Sequence, residues 1–266
     1  MTQADSARWT RLDWLGLALV TLAAAALRLV GLASPTSLVF DEIFYAQDAC
    51  WYVAASEAVC GISGLTSRAH PPLGKWLIGA GIAVLDYHPF GWRVAAAVAG
   101  TATVALVYVL SRRLLRPVVA AGAATVGAVA ASALFATDFL HLVQSRVAML
   151  DVFVGLFVVV AALAVVLDRE RRRDREPAGL VGRLTLGRPW RFLAGAALGA
   201  AAAVKWSGAY IGLGLVVLTV AWEIAARRPP GVSGRQALRE AFRQEALPSI
   251  AAFGAVPILV YLASYI

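Results

Sequence analysis

The sequence predicts an all-α integral membrane protein, built as a multi-span helical bundle. Of the 266 residues, 60% are hydrophobic and 15% are charged, and the mean hydropathy is +0.73. Long apolar segments alternate with connections, several of which are rich in arginine. A soluble globular protein is less apolar than this chain, and a disordered chain is far less apolar, so both classes are excluded.

The apolar segments predict the number of membrane spans. A spanning helix needs about 20 predominantly apolar residues, so we expect about seven transmembrane helices, at residues 14–33, 92–110, 117–137, 148–167, 192–204, 206–226 and 246–266. Arg8 and Arg11 precede the first segment as in a signal peptide, but its length and the segments that follow favour a retained helix. The last segment reaches Ile266, so we expect residues 1–266 to be the amino-terminal transmembrane module of a longer chain, cut inside a helix.

Arginine clusters predict the orientation in the membrane. Three connections carry most of the arginines, at residues 112–116, 169–191 and 227–243. If the spans alternate, these connections and the amino terminus share one side, and the positive-inside rule makes that side the cytoplasm. We therefore expect a multi-pass protein of the cell membrane with a cytoplasmic amino terminus. The clusters also account for the pI of 10.1 without a nucleic-acid partner.

The opposite, extracytoplasmic side is expected to carry one long loop, at about residues 34–90. Residues 40–55 predict an amphipathic interfacial helix. Residues 72–85 are apolar but too short to span, so they are expected to lie in the interface. Cys50 and Cys60 are too few for a disulfide scaffold or a zinc cluster. A disulfide could persist on this side, and the sequence leaves their pairing open.

Ionisable residues within or at the ends of the apolar segments are all expected in the outer part of the bilayer: Arg28, Arg93, Arg146, Asp151 and Lys205. Inserting such a residue at the centre of a membrane helix costs about 2.5–3.5 kcal/mol, so we expect each of them to have a structural or functional role. Arg28 and Arg93 can snorkel to the headgroups. Arg146 and Asp151 can form an ion pair with each other. Asp48, in the long loop, is interpreted as a solvated acid.

Cations and an acidic pair on the outer side indicate a candidate site. The chain's two lysines, Lys75 and Lys205, fall there, although a topology signal would place them in the cytoplasm. Such cations at headgroup level favour an anionic ligand such as a lipid-linked phosphate. Asp41 and Glu42 follow the first span closely, and a carboxylate fixed there can act as a general base toward an incoming hydroxyl. His70 opens a rigid turn with two prolines that would aim it and Lys75 in one direction.

Several motifs occur in one order along the chain: Phe40-Asp41-Glu42, His70-Pro71-Pro72-Leu73-Gly74-Lys75, Trp92-Arg93, Gln144-Ser145-Arg146 with Met149-Leu150-Asp151, and Lys205-Trp206-Ser207-Gly208. Each motif alone is unspecific, but the ordered set resembles the protein O-mannosyltransferase family, membrane glycosyltransferases of the GT-C class. The resemblance covers nearly the whole chain but only the amino-terminal part of the family's length. The alanine- and arginine-rich composition is similar to that of the actinobacterial branch.

The resemblance implies a GT-C-type bundle and an inverting glycosyltransferase. Mannose would move from a polyprenyl phosphate carrier to Ser or Thr hydroxyls of proteins on the extracytoplasmic side. Asp41 would be the base, supported by Glu42. The residues that match the donor-binding positions are Arg93, Arg146, Lys205, His70, Lys75 and Asp151. The first three would hold the lipid phosphate, and Asp151 would orient Arg146.

Other functions stay open. A GT-C enzyme could instead move the sugar to a lipid or a cell-wall glycan. A transporter or a non-enzymatic lipid-binding subunit is disfavoured, because transporters place ionisable groups at the bilayer midplane. No His, Cys or Asp cluster has metal-ligand spacing, so no structural metal is predicted, while a loosely bound divalent cation at Asp41 and Glu42 is left open.

Overall fold

The computed structural model describes residues 9–175, 188–226 and 233–266, and within them the chain is helical with no strand. The helices are α1 (Arg11–Leu29), α2 (Glu42–Ala54), α3 (Glu57–Cys60), α4 (Leu73–Leu85), α5 (Pro89–Leu115), α6 (Ala121–Thr137), α7 (Phe139–Gln144), α8 (Asp151–Arg175), α9 (Pro189–Val204), α10 (Ser207–Ala226), α11 (Gly234–Ile250), a π-helix (Ala251–Ala255) and α12 (Val256–Ala263). The predicted all-α fold is confirmed, and residues 40–55 and 72–85 are found as α2 and α4.

Hydrogen bonds between distant residues define two ends of the bundle. At the lower end, Arg112 near the end of α5 is paired with Asp13 near the start of α1. At the upper end, Lys205 after α9 is paired with Asp151 at the start of α8. All the ionisable residues that the sequence places in the outer part of the bilayer lie at this upper end.

Within the described residues, five helices are long and apolar enough to cross a membrane: Arg11–Leu29, Pro89–Leu115, Asp151–Arg171, Ser207–Ala226 and Ala246–Ala263. The apolar helices α6 and α9 are shorter, yet each reaches both ends. In α6, for example, Thr125 bonds to Asp13 at the lower end and the Ala136 carbonyl accepts from Arg28 at the upper end. The expected count of about seven spans therefore stays a prediction, whereas the membrane character of the chain is clear.

The largest cluster of buried apolar side chains lies beneath the upper end. It joins α2, α4, α5, α8 and α9 through residues that include Ala49, Ile78, Ala96, Phe153 and Val204. Because these helices pack on one core, the loops that leave their upper ends are brought to a common location.

The long upper loop is fastened to this core by two covalent or ionic links. Cys50 at the end of α2 and Cys60 in α3 form a disulfide, which settles the pairing that the sequence left open. Asp48 is buried and pairs with Lys75 of α4 at 2.7 Å. It also accepts from the backbone N–H groups of Thr66 and Ser67. The interpretation of Asp48 as a solvated acid is therefore wrong, because its carboxylate is needed to neutralise a buried lysine.

The lower end contains more than topology signals. Arg191 at the start of α9 is buried and bonds to Asp168 and Glu223, and Arg188 bonds to the same two carboxylates. Arg112 is likewise buried against Asp13. These arginines tie the helix ends together, since each buried charge has an opposite charge beside it. The part of the predicted arginine cluster that falls in residues 176–187 lies outside the described residues.

Candidate active site

Asp41 stands at the junction between the loop after α1 and the start of α2. The preceding residue, Phe40, has a left-handed backbone (φ 53°), a conformation that non-glycine residues adopt at a cost of about 1 kcal/mol or more. This bend starts α2 directly after Asp41, whose carbonyl accepts from the N–H groups of Phe44 and Tyr45. The Asp41 side chain is only partly buried, and its Oδ2 accepts a hydrogen bond of 3.3 Å from the Tyr45 hydroxyl.

Glu42, the next residue, is fully buried and has a different set of partners. Its Oε1 accepts from Arg93 Nε at 2.8 Å and from the Ala148 N–H at 2.9 Å. Its Oε2 accepts from Arg93 Nη2 at 2.7 Å and from the Val39 N–H at 2.9 Å. Since a carboxylate has about four lone-pair sites, Glu42 is saturated. It joins α5, the loop before α8 and the loop after α1 at one point.

Arg93 is also fully buried and saturated. Besides its two bonds to Glu42, its guanidinium donates to the carbonyls of Leu32, Pro35 and Ser37, at 2.7 to 3.2 Å. These five contacts use all five N–H donors of an arginine. The loop that carries Asp41 is thus wrapped around the Arg93 guanidinium.

Lys205 and Asp151 form a partly exposed ion pair at the upper end. Lys205 Nζ lies 2.9 Å and 3.1 Å from the two Asp151 oxygens, and the two side chains are 30% and 33% exposed. The expected contact of Asp151 with Arg146 is wrong, because Asp151 is held by Lys205. Arg146 instead donates to the Leu27 carbonyl at the end of α1.

His70 lies between these charged groups. Burial, followed by the positive charges of Lys205 and Lys75, lowers the pKa of His70, while the negative charges of Asp151 and Asp41 oppose the shift. The His70 ring meets the Tyr45 ring edge-on, with centroids 5.8 Å apart. His70 is therefore favoured in its neutral form, beside both Asp41 and the Lys205–Asp151 pair.

Two other predicted residues are tied into the structure. Lys75 is 1% exposed, and in addition to Asp48 it donates to the Ser67 carbonyl. Arg28 is fully buried rather than snorkelling to headgroups. It donates to the carbonyls of Ala24 and Ala136 and to His141 Nδ1 at 3.0 Å.

The structure thus brings together one partly exposed group, which we call the Asp41–Lys205 cluster: Asp41, Tyr45, His70, Asp151 and Lys205. Tyr45 is the member that sequence reasoning missed. Its spacing of four residues from Asp41 places both side chains on one face of a helix, which is the signal that could have found it. Glu42, Arg93 and Lys75 lie behind the cluster and hold the segments that form it.

The pair Asp41 and Glu42 does not form a two-carboxylate cation site. Glu42 has no lone pair left for a metal ion. Among the described residues, no group of three His, Cys, Asp or Glu side chains could hold a metal ion. Asp41 is the one carboxylate of the pair that is open to a ligand.

The fold and the cluster define a membrane protein with a polar, partly exposed site at one end of a helical bundle. Its fold matches a solved structure of the Saccharomyces cerevisiae protein O-mannosyltransferase Pmt1-Pmt2 complex bound to the sugar donor, with a TM-score of 0.70, over 98% of this chain and 34% of that chain. At 24% sequence identity, this likeness shows the GT-C fold alone.

Residues 18–265 match the family described as dolichyl-phosphate-mannose-protein mannosyltransferase (PMT), and the chain belongs to this family. A curated relative from Mycobacterium tuberculosis, named polyprenol-phosphate-mannose–protein mannosyltransferase, is 39% identical over 95% of this chain. Relatives of the same name from Mycolicibacterium smegmatis and Corynebacterium glutamicum are 38% and 31% identical over 95% and 97% of this chain. The chain spans about half the length of these relatives (49% to 51%).

Proposed function

We propose that the full-length protein transfers mannose from a polyprenyl phosphate carrier to Ser or Thr hydroxyls of proteins. Membership of the mannosyltransferase family and the names of the relatives support the substrate class. The observation that carries the proposal is the open carboxylate of Asp41, placed with Lys205 at the upper end of a membrane bundle while its neighbour Glu42 is saturated.

The chemistry requires one base and one cationic site. The acceptor oxygen attacks the sugar carbon from the face opposite the phosphate, the bond between that carbon and the phosphate oxygen breaks, and the configuration inverts. Asp41 takes the proton of the acceptor hydroxyl, and the electron pair of the broken bond leaves with the polyprenyl phosphate. Cations near the leaving oxygen stabilise its charge, so no general acid is needed.

We assign Lys205 to binding the phosphate of the donor. Its ammonium is partly exposed and is paired with Asp151, which orients it. Arg146, which follows α7 and donates to the Leu27 carbonyl near the end of α1, is the second cation in this assignment. Arg93 and Lys75 are not included, because the structure engages their donors with buried protein groups. We assign them, with Glu42, to shaping the loop.

We further propose that the upper end faces the extracytoplasmic side of the cell membrane and that the amino terminus is cytoplasmic. The arginines of the lower end support this orientation, because short cytoplasmic loops are enriched in Lys and Arg. A polyprenyl chain in the outer leaflet would then deliver its phosphate at the level of Lys205, while a protein acceptor reaches Asp41 from the aqueous phase.

The test is an assay of membranes that contain the complete protein, supplied with radiolabelled polyprenyl phosphate mannose and a Ser/Thr-rich peptide. We expect labelled peptide. Label that appears only in a lipid or glycan fraction would contradict the protein acceptor and favour a GT-C enzyme with another acceptor. Absence of any transfer, with the protein shown to be folded and donor present, would contradict the proposed reaction.

A further inference from the structure

We infer that Tyr45 is a positioning residue for Asp41: its hydroxyl holds the Oδ2 atom, which leaves Oδ1 to receive the proton of the acceptor. This inference deepens the proposed mannosyl transfer and rests on it. It adds a residue that acts through the base Asp41.

The helix geometry brings the two side chains together. Asp41 immediately precedes α2 and Tyr45 lies one turn later, so both project from the same face. The hydroxyl to Oδ2 distance is 3.3 Å, which is long for an O–H···O hydrogen bond. Contacts of this kind are often long in the absence of substrate and shorten when the site is filled.

Packing holds the Tyr45 ring in place. The side chain is 5% exposed and belongs to the apolar core beneath the upper end. Its ring edge meets His70, whose centroid lies 5.8 Å away. A buried hydroxyl needs a partner, and among the described residues Asp41 is the acceptor that the Tyr45 hydroxyl has.

The surroundings keep the hydroxyl a donor. Burial, together with the negative charges of Asp41 and Asp151, raises the pKa of Tyr45. Two nearby groups can carry positive charge, Lys205 and His70. Lys205 is paired with Asp151, and burial lowers the pKa of His70, which disfavours its protonated form. A phenol that stays protonated can only donate to the carboxylate. It therefore fixes the rotation of Asp41 without competing for the acceptor proton.

The test compares Tyr45→Phe with Tyr52→Phe in membranes of the complete protein. Tyr52 is the matched control because it lies on the same helix, is 42% exposed and contacts the Trp76 ring rather than the Asp41–Lys205 cluster. Tyr45→Phe keeps the ring and removes only the hydroxyl. We expect its kcat for mannosyl transfer to fall about 10-fold, the loss of one hydrogen bond to a charged group.

The split between kcat and KM separates positioning from a structural role. For Tyr45→Phe we expect donor and acceptor KM values within about twofold of wild type, unchanged thermal stability, and wild-type kinetics for Tyr52→Phe. Wild-type kcat in Tyr45→Phe, or a loss matched by the fall in folded protein, would overturn the role of Tyr45 while leaving mannosyl transfer standing. Failure of the wild-type protein to transfer mannose would overturn the proposed function and this inference with it.

Discussion

Two neighbouring carboxylates in this chain have different partners because adjacent helix residues point about 100° apart. Glu42 turns inward to the Arg93 guanidinium, and Asp41 turns toward the partly exposed cluster. The sequence placed both residues at the membrane surface, and the family resemblance made Asp41 the base with Glu42 in support, but neither could predict that Glu42 binds the buried Arg93 guanidinium. Arg93 also binds three carbonyl groups of the loop after α1. The backbone path of that irregular loop leaves no periodic pattern in the sequence from which these contacts could be predicted.

Replacing Lys205 tests the phosphate assignment. Lys205→Gln removes the charge but keeps a polar side chain, so we expect the donor KM to rise about 10-fold, the value of a lost charge-assisted hydrogen bond, with a small change in acceptor KM. Arg68→Gln is the matched control, because Arg68 is an exposed cation of the long loop at the same, upper end of the bundle. An unchanged donor KM in Lys205→Gln would remove Lys205 from this role.

The contact between His141 and the buried Arg28 predicts a pH dependence of stability. Burial, followed by the charge of Arg28, lowers the pKa of His141 from 6.5 to about 4, while Asp138 opposes the shift. Between pH 6.5 and pH 4, His141 binds a proton in the unfolded chain but not in the folded chain. The contribution of His141 to stability is therefore full above pH 6.5 and is lost as the pH falls toward 4.

His141→Gln isolates this contribution, since the glutamine oxygen can still accept from Arg28. Thermal unfolding between pH 7 and pH 4 should show a shallower decline for His141→Gln than for the wild-type protein. Parallel declines in the two proteins would show that His141 does not contribute.

At the scale of the elements, close approaches between helices hold the bundle together. A Cβ atom at Gly195 of α9 would lie 1.7 Å from the Ala252 carbonyl oxygen in the π-helix, and one at Gly199 would lie 2.7 Å from the Pro257 backbone. In the sequence, the only sign of such packing is the richness of residues 194–203 in alanine and glycine. It could not predict the partner, because alanine and glycine fit many neighbours equally well.

A substitution at Gly195 tests this contact. Gly195→Ala must push α9 away from the π-helix, because the clash is with backbone and cannot be relieved by a side-chain rotation. We expect a loss of about 1–3 kcal/mol in stability, measured as a lower midpoint of thermal unfolding in detergent. Gly122→Ala is the control, since nothing lies within 4 Å of an added Cβ there. Equal midpoints for both variants would contradict the observed packing.

At the scale of the whole molecule, hydropathy and arginine distribution were sufficient to predict an all-α membrane bundle with its ionisable site residues at one end. This worked because the bilayer constrains length, periodicity and charge over whole segments. Specific pairings were not predictable. Asp151 pairs with Lys205 and not with Arg146. Arg146 and Asp151 are close in sequence, but α8 begins at Asp151, so their side chains need not face each other.

The proposed orientation can be measured by labelling single cysteines from outside intact cells. Arg68 is exposed at the upper end and Val118 is 74% exposed at the lower end, and Cys50 and Cys60 are bonded to each other. An impermeant thiol reagent should label Arg68→Cys but reach Val118→Cys only after the cells are opened. The reverse pattern would place the candidate site in the cytoplasm.

We propose that Asp41 acts chemically while Glu42 acts structurally. Mannosyl transfer, donor binding and thermal stability of Asp41→Asn and Glu42→Gln in the complete protein separate these two roles. We predict that Asp41→Asn abolishes transfer with wild-type stability and donor binding. Glu42→Gln should lose about 3 kcal/mol of stability, because it leaves the buried Arg93 charge unpaired. Retained turnover in Asp41→Asn would contradict the catalytic role of Asp41, and wild-type stability in Glu42→Gln would contradict the structural role of Glu42.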